Sequence, residues 1–555
     1  MKLENKNGDI YGKQPFNDVR KIDTLRNMFD GSIKMYAERT AFLQKYDTAE
    51  PYKEISYRQF GEDVYNFAEG LIKLGLKDKK TAIIGENRYE WAVSYMALTC
   101  GVGTAVPIDK ELTENEIKKL LEFAECSAVI ISSAILKKNP NLKDFDIEII
   151  CMDGDFSKIT SIGKDEAEKG SMVFKNALVK PEDVNVILFT SGTSSAAKGV
   201  MLSHKNICSC IMNICSLFDI DVHDRLFSLL PLHHTYECTC GFLAEIYVGA
   251  SIAYCQGLRY MLKNMKESKP TIFFCVPMVL ESIYKVLNKT IDKTGQRRKI
   301  ELGIKITKFL RKFGIDMRRK MFSEIIDRFG GKLKMILVGA APVKPETMQF
   351  FEDIGIISFQ GYGMTECAPM ITQNRLSRRR NDSVGLPLPE LQIKISNPDE
   401  KGIGEITVKG DNVMVGYYKN PEETAKVLKD GWLYTGDMGR FEDGFLYITG
   451  RKKNLIITSN GENVFPEEME NEICKSDYIS ECMVYEQNNA IYIQAYPDDA
   501  AFEGMDEAEI EKKVIYEVKK INAAMPPYKK FSKIIVRKTP FVKTTTQKIK
   551  RDANI

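Results

Sequence analysis

The sequence predicts an α/β protein: a large N-terminal part of two doubly wound αβ regions plus a small β-barrel, and a small α+β C-terminal domain. Three observations predict it. Short β-branched apolar runs alternate with amphipathic stretches from Tyr57 onward, the pattern of parallel strands joined by helical crossovers. At 555 residues, 44% hydrophobic and 28% charged, the chain is too long for one core and has a globular composition. After Asn381 the texture changes to short strands broken by turns such as Glu442-Asp443-Gly444.

Residues 1–50 read as polar and helical in flavour, with one short apolar stretch at Ala41–Leu43. Helical spacing then predicts helices over Gln59–Leu74, Arg88–Thr99 and Glu114–Ala124. Between and after them, Thr81–Ile84, Thr104–Ile108 and Ala128–Ser132 read as strands. Val184–Phe189 is expected to open a second region, with a helix near Lys205–Leu217. That region continues through Leu226–Leu230, Ser251–Tyr254, Thr271–Cys275, Met335–Val338 and Ile356–Phe359. Glu405–Lys409 and Leu446–Thr449 belong to the barrel-like part. Past Arg451, helices over Phe465–Lys475 and Glu507–Asn522 accompany strands Glu481–Tyr485, Ile491–Tyr496 and Lys533–Val536. The domain boundary is expected at 452/453, giving domains 1–452 and 453–555, and there is no internal repeat.

A net charge of +3 excludes a whole-molecule polyanion binder, so nucleic acid is not an expected partner. There is no 18-residue apolar run, and the first residues, MKLENKNGDIYGKQ, are polar; a cytoplasmic location is expected. Thirteen cysteines, an odd number scattered through apolar segments, read as reduced core thiols. A zinc site from His204 with Cys208, Cys210 and Cys215, or from His234 with Cys238 and Cys240, reads less well than core packing. C-x-C on a helix points its thiols apart, and no C-x-x-C pair occurs. Lys285–Lys334 holds 16 Lys/Arg against 5 Asp/Glu. There Ile306, Phe309, Leu310 and Phe313 fall at helical spacing, as do Met317, Met321 and Ile325. Two readings stand: helices packed on the domain with solvated lysines, or peripheral contact with an anionic membrane at its inner face.

The run VNVILF at Val184–Phe189 breaks into Thr190, Ser191, Gly192, Thr193, Ser194 and Ser195, and Lys198 and Gly199 follow. Hydroxyls around a glycine make a phosphate cradle, with backbone N–H groups and hydroxyls as donors. It is not a Walker A loop: Ala197 stands where that motif has its second glycine, and Gly199 where it has Ser/Thr. Downstream lie Leu230-Pro231-Leu232-His233-His234, Gly339-Ala340-Ala341-Pro342, and Gln360-Gly361-Tyr362-Gly363-Met364-Thr365-Glu366. Tyr434-Thr435-Gly436-Asp437, Gly450-Arg451-Lys452-Lys453, Gly461-Glu462-Asn463 and Thr544-Thr545-Thr546-Gln547-Lys548 complete the series. Small residues past a parallel strand leave room for a flat ligand, an aromatic face can stack on a base, and a carboxylate suits a hard cation.

In this order and spacing the motifs resemble those of the adenylate-forming superfamily, which includes acyl-CoA synthetases, luciferases and peptide-synthetase adenylation domains. The departures are Ser195 for glycine, Ala197 for proline and Gln547 for glycine. The resemblance implies ATP-dependent activation of a carboxylic acid to an acyl-adenylate, then thioester formation with CoA, with ATP, Mg2+ and CoA as cofactors. It implies catalytic roles for Lys548, His234, Thr193 and Glu366, with Thr193 and Glu366 at the metal. It assigns phosphate contacts to Thr190, Ser191, Gly192, Thr193, Ser194, Lys198 and Thr365, and nucleoside contacts to Gly339, Ala340, Ala341, Gln360, Gly361, Tyr362, Gly363, Met364, Asp437 and Arg451. Lys453 matches the hinge, and Gly461 and Glu462 the loop that approaches the thiol. Family members specific for acetate carry tryptophan at the position of Gly363, so its absence here implies a longer acid. LPLHHTYE at Leu230–Glu237 is similar to bacterial long-chain acyl-CoA synthetases, which points to a fatty acid. A holo-acyl carrier protein as acceptor, an aryl acid as substrate and a non-catalytic binding member remain as alternatives.

Overall fold

The computed structural model describes residues 5–6, 9–11, 17–190, 198–458, 462–543 and 548–555, the first two segments by backbone alone. Five strands form a parallel sheet in the order Val184–Thr190, Gly103–Pro107, Lys79–Ile84, Ala128–Ile131 and Glu148–Cys151. Lys198–Ser203 and Gly416–Tyr417 extend it antiparallel beyond Val184–Thr190. A second sheet has nine strands. Its parallel centre runs Ile357–Gly363, Met335–Val338, Ile272–Cys275, Arg225–Ser228, Ser251–Tyr254 and Thr40–Gln44. Met370–Gln373 with Leu386–Pro387 closes one edge, and Lys53–Ser56 the other. The central strands of both sheets are near-continuous buried apolar runs, as expected when helices cover both faces.

Two groupings differ from the sequence expectation. Val184–Thr190 belongs to the first sheet, pairing in parallel through Ala105 and Val186, rather than opening the second. Ala41–Leu43, expected as a short stretch in a helical region, is a strand of the second sheet, with Phe42 and Leu43 paired to Ile252 and Ala253. Lys198–Ser203 is also a strand, running into the helix His204–Cys215. Ser203 caps that helix by accepting from the Asn206 N–H while the Asn206 side chain accepts from the Ser203 N–H. Polar periodicity hides one further helix, Phe156–Glu168, which packs on Tyr57–Lys73. Glycine allows the two backbones to approach: a Cβ on Gly163 would sit 1.7 Å from the Asn66 carbonyl oxygen.

The part after Asn381 is a seven-stranded antiparallel sheet containing Gln392–Ser396, Gly404–Lys409, Trp432–Glu442 and Phe445–Arg451. The N-terminal strands Asn5–Lys6 and Asp9–Tyr11 join it beside Gln392–Ser396. Among the described residues Trp432–Glu442 pairs with Gly404–Lys409 and Leu428–Lys429, and Phe445–Arg451 branches off it. After Arg451, a short hairpin (Ile456–Ile457 with Asn463–Val464) precedes a three-stranded sheet of Ile479–Gln487, Ala490–Pro497 and Lys533–Val536. Helices Pro466–Ile473 and Glu507–Ala524 share with it a core including Met469, Ile473, Val484, Ile493 and Val514.

Residues 285–334 are helical as expected, across Pro277–Lys293, Arg297–Arg311, Arg318–Met321 and Ser323–Ile326. Arg297–Arg311 has two opposed sides. Gly303 and Thr307 are buried, and a Cβ on Gly303 would meet Met321 and Phe322 at 3.1 Å. Leu302, Ile306, Phe309 and Phe313 face solvent instead. Among the described residues no helix is long and apolar enough to cross a membrane.

Candidate functional site

Strand ends position most of the motif residues. In the antiparallel sheet, Asp437 on Trp432–Glu442 stands opposite Arg451 on Phe445–Arg451. Arg451 Nε lies 2.6 Å from Asp437 Oδ1, and the Tyr362 hydroxyl donates to Asp437 Oδ2 at 2.6 Å. Tyr362 comes from the second sheet, so this triad ties two sheets together. Burial pushes the Asp437 carboxyl up, against the pull of Arg451 and Tyr362, and pushes the Tyr362 phenol well up. The result is a fixed, desolvated carboxylate with a guanidinium and a phenol on its two oxygens.

Glu366 lies just beyond strand Ile357–Gly363, in the short turn Thr365–Cys367. It is buried; its Oε1 accepts from the Tyr417 hydroxyl at 2.9 Å, and its carbonyl accepts from the Met414 N–H. Gln360, Gly361 and Tyr362 are buried on that strand, whereas Gly363 is exposed and Met364 and Thr365 are half-buried. Gly339 ends strand Met335–Val338 against Tyr236, whose ring would stand 3.0 Å from an added Cβ. Ala340 has φ +74° and, with Ala341, is exposed, giving a bare left-handed turn of small residues.

His233 and His234 follow strand Arg225–Ser228, with ring centroids 4.2 Å apart. The Nε2 atoms of both are buried without a hydrogen-bond partner, and His233 Nε2 lies 3.6 Å from Asp109 Oδ1. Burial holds both imidazoles below their ordinary range, so they are neutral near pH 7.

Lys548 arrives from the C-terminal part. Its ammonium is lowered by burial and by Arg451, and raised by Asp437 and Glu366. It also acts on His234, lowering that group. Lys548, Asp437, Glu366, Arg451 and His234 therefore share one electrostatic neighbourhood. Arg551 anchors the segment by bonding both Glu470 oxygens at 2.7 Å and the Val484 carbonyl at 2.8 Å. Across from it, Lys285 pairs with Asp498, and Lys289 lies 3.6 Å from Glu503, linking helix Pro277–Lys293 to the C-terminal part.

Several expected residues stand elsewhere or apart. Ser191, Gly192, Thr193, Ser194 and Gly461 lie outside the described residues. Thr190 ends its strand, half-buried. Lys198 is paired with Glu423 at 2.7 Å and lies over the Tyr417 ring. Hydrogen bonding from Lys198 pulls the Glu423 carboxyl down to about 2. Lys453 sits in the turn Lys452–Asn454 between the two parts, its ammonium lowered by burial. Glu462 is exposed in the C-terminal hairpin, its N–H donating to Thr458 Oγ1. Gly363 overturns the pocket-depth argument. An added Cβ would sit 2.0 Å from the Pro369 carbonyl oxygen, so here glycine serves the close approach of two strands and its absent side chain does not measure an acyl channel.

Sequence reasoning missed Tyr417, Glu423, Asp109 and Asn87. Asn87 was the most findable, being a polar residue in the loop just past the carboxyl end of strand Lys79–Ile84, three residues beyond Ile84.

Comparison with known proteins gives the following. Residues 29–418 match the AMP-binding enzyme family, and residues 453–555 match the AMP-binding enzyme C-terminal domain. Fatty acyl-CoA synthetase B of Dictyostelium discoideum is 30% identical over 84% of this chain and 75% of its own. Long-chain-fatty-acid–CoA ligase 5 of Rattus norvegicus is 32% identical over 79% of this chain and 69% of its own. Among solved structures, an anthranilate CoA ligase in complex with anthranoyl-AMP superposes with a TM-score of 0.76 at 20% identity, covering 95% of this chain and 96% of its own.

Proposed function

The chain belongs to the AMP-binding enzyme family, and from that premise we propose that it is a long-chain fatty acid–CoA ligase acting through an acyl-adenylate. A fatty acid carboxylate oxygen attacks the α-phosphorus of ATP and pyrophosphate leaves. The CoA thiolate then attacks the acyl carbon and AMP leaves. The observation that carries this reading is the buried Tyr362–Asp437–Arg451 triad joining two sheets, with the Glu366 carboxyl held by Tyr417 and Lys548 of the C-terminal segment in the same electrostatic neighbourhood.

In this reading Tyr362 and the Gly339–Ala341 turn take the adenine, and Asp437 with Arg451 takes the ribose hydroxyls. Thr365 and the 190–195 loop take the phosphates, and neutral His234 lies beside the acid carboxylate. Glu366 suits Mg2+: it is a buried hard-oxygen donor with one oxygen held by Tyr417. When bound, the ion offsets charge on the phosphate oxygens. Lys198 keeps the strand after the loop in place through Glu423. The mobile unit is residues 453–555, turning about Lys453. Pyrophosphate exchange across acids of increasing chain length, followed by CoA or holo-acyl carrier protein as acceptor, tests the reading. The expected outcome is exchange driven by long saturated acids and thioester formed on CoA; exchange with aryl acids alone, or thioester on the carrier alone, overturns it.

A peripheral location at the inner face of an anionic membrane is favoured by the outward stripe on helix Arg297–Arg311. Leu302, Phe309 and Phe313 are 59%, 60% and 67% exposed, and Phe309 and Phe313 rings are in edge contact. Arg298, Lys299, Lys305 and Lys312 flank the stripe and are exposed. That cationic border disfavours a second copy of the same face and suits anionic headgroups, each basic side chain contributing about 1 kcal/mol near the surface. Sedimentation with phosphatidylcholine vesicles, with and without phosphatidylglycerol, tests it. Binding should need the anionic lipid, fall at high salt and be lost in Phe309→Ser/Phe313→Ser; binding indifferent to lipid charge overturns it.

A further inference from the structure

Beneath the histidine pair lies a hydrogen-bonded chain that the proposed reaction leaves unused. Glu237 is fully buried at the start of the helical stretch Tyr236–Leu243. Its Oε1 accepts from the Ser228 hydroxyl. Ser228 Oγ in turn accepts from Asn87 Nδ2 at 3.0 Å. The same Asn87 amide donates to the Leu230 carbonyl at 2.7 Å, and its Oδ1 accepts from the Leu232 N–H at 3.1 Å. The contacts therefore bracket 228–232, the segment leading directly into His233 and His234.

The surroundings are built to hold a carboxyl there. Gly241, one helical turn on, leaves room for it: an added Cβ would lie 3.2 Å from Glu237 Cδ. Burial pushes the Glu237 carboxyl up to about 8, so the neutral acid occupies the site near pH 7, which costs far less than burying a carboxylate. Its Oε2 has no partner. A polar group kept in such a place must be explained, since an apolar side chain of similar volume would fill the space at lower cost. Asn87 adds the reason. It belongs to the loop after Lys79–Ile84 in the first sheet, while Ser228 ends a strand of the second and Glu237 opens the helical stretch Tyr236–Leu243. The chain of bonds registers one sheet against the other at the point where the histidines emerge.

We propose that Glu237, acting through Ser228 and Asn87, is a positioning residue that fixes the 228–234 segment and so places the His234 ring for adenylate formation, a role that rests on the ligase reading above. Loosening the segment should misplace the ring against the acid while leaving the nucleotide wall intact.

The test uses Glu237→Ala, Glu237→Gln, Asn87→Ala and Ser228→Ala in the full chain, with two readouts. Single-turnover adenylate formation, with the saturated acid that wild type uses best, should fall at least about tenfold in the three alanine variants, with KM for ATP changed less than about threefold. Glu237→Gln, isosteric with the neutral acid, should restore the rate. The second readout needs no turnover: diethyl pyrocarbonate labelling of the peptide carrying His233 and His234, followed by mass spectrometry. Labelling should be several-fold faster in the alanine variants and unchanged in Glu237→Gln. The inference is overturned if Gln is as impaired as Ala, or if the alanine variants label at the wild-type rate. Should Glu237→Ala fail to fold, Asn87→Ala and Ser228→Ala still decide, because they leave the carboxyl in place. Should wild type activate no acid, the ligase reading fails, and the labelling still decides the positioning of the segment.

Discussion

The wall of Tyr362, Asp437, Arg451 and Glu366 is held differently from the lysine that faces it. Tyr362, Asp437 and Glu366 are buried and Arg451 is half-buried; Tyr362 and Arg451 both hold Asp437 at 2.6 Å, and Tyr417 holds Glu366 at 2.9 Å. Lys548 comes instead from the C-terminal part, where Arg551, three residues on, ties its segment to Glu470. That part meets the large one through ion pairs of exposed lysines, Lys285–Asp498 and Lys289–Glu503. The contrast separates a preorganised binding surface, which must serve both half-reactions, from a group needed in one orientation only.

Lys548→Ala breaks the comparison on its mobile side. Loss of one preorganised phosphate contact should cost about 3 kcal/mol, about a hundredfold in the rate of adenylate formation. Supplied with synthetic acyl-adenylate, the variant should make thioester at near the wild-type rate; equal losses in both steps would sink the two-orientation reading. Asp437→Asn breaks the fixed side. It keeps the shape but removes the partner charge of Arg451, and should cost about 1.5–3 kcal/mol in nucleotide binding. Because AMP is held throughout, this loss should appear in both half-reactions, the opposite signature.

Acid should also separate the two regions. All four histidines lie in the large part. His204 is buried there, its imidazole accepting from the Leu25 N–H at 3.1 Å and lowered by burial to about 4. The unfolded chain binds the proton first, so this group's contribution is complete above pH 6.5 and drains at about 1.4 kcal/mol per pH unit as pH falls toward 4. Thermal melting of the large part should therefore fall through that window, and His204→Gln should flatten the dependence. The smallest effect belongs to the ion pairs. Lys285→Glu with Lys289→Glu should shift the orientation by about 1 kcal/mol, because exposed pairs contribute little. Adenylate formation should slow several-fold at low salt, and high salt should bring wild type toward the variant.

Much of the wall was legible because its chemistry requires conspicuous residues where apolar strands end: Tyr362, Glu366, Asp437 and Arg451 all stand at or near such breaks. The strand-and-helix content was legible for the same reason of periodicity. Partnership was not. A β-branched run such as Val184–Phe189 carries no mark of which sheet will take it, and Ala41–Leu43 is too short to announce a strand. Lys198 reads as a phosphate-facing cation until Glu423, 225 residues on, claims it. Gly363 reads as an open pocket until the carbonyl of Pro369 is set beside it. Glu237 stands in the sequence only as the last residue of LPLHHTYE, because burial is a tertiary fact.

The exchange of strands between the two sheets has a consequence for synthesis on the ribosome. Thr40–Gln44 and Lys53–Ser56 emerge early as a hairpin, but their parallel neighbour, Ser251–Tyr254, is made some two hundred residues later. Meanwhile the edge of Thr40–Gln44 is an open template for other chains. The first sheet waits longer still, since its outermost strand is Gly416–Tyr417. Neither sheet can be finished before most of the large part has been translated, so slow, non-local closure is built into the order of the strands. A nascent chain of this protein should lean on holdase chaperones through most of its elongation, and truncations between the two sheets should yield aggregates rather than a folded half.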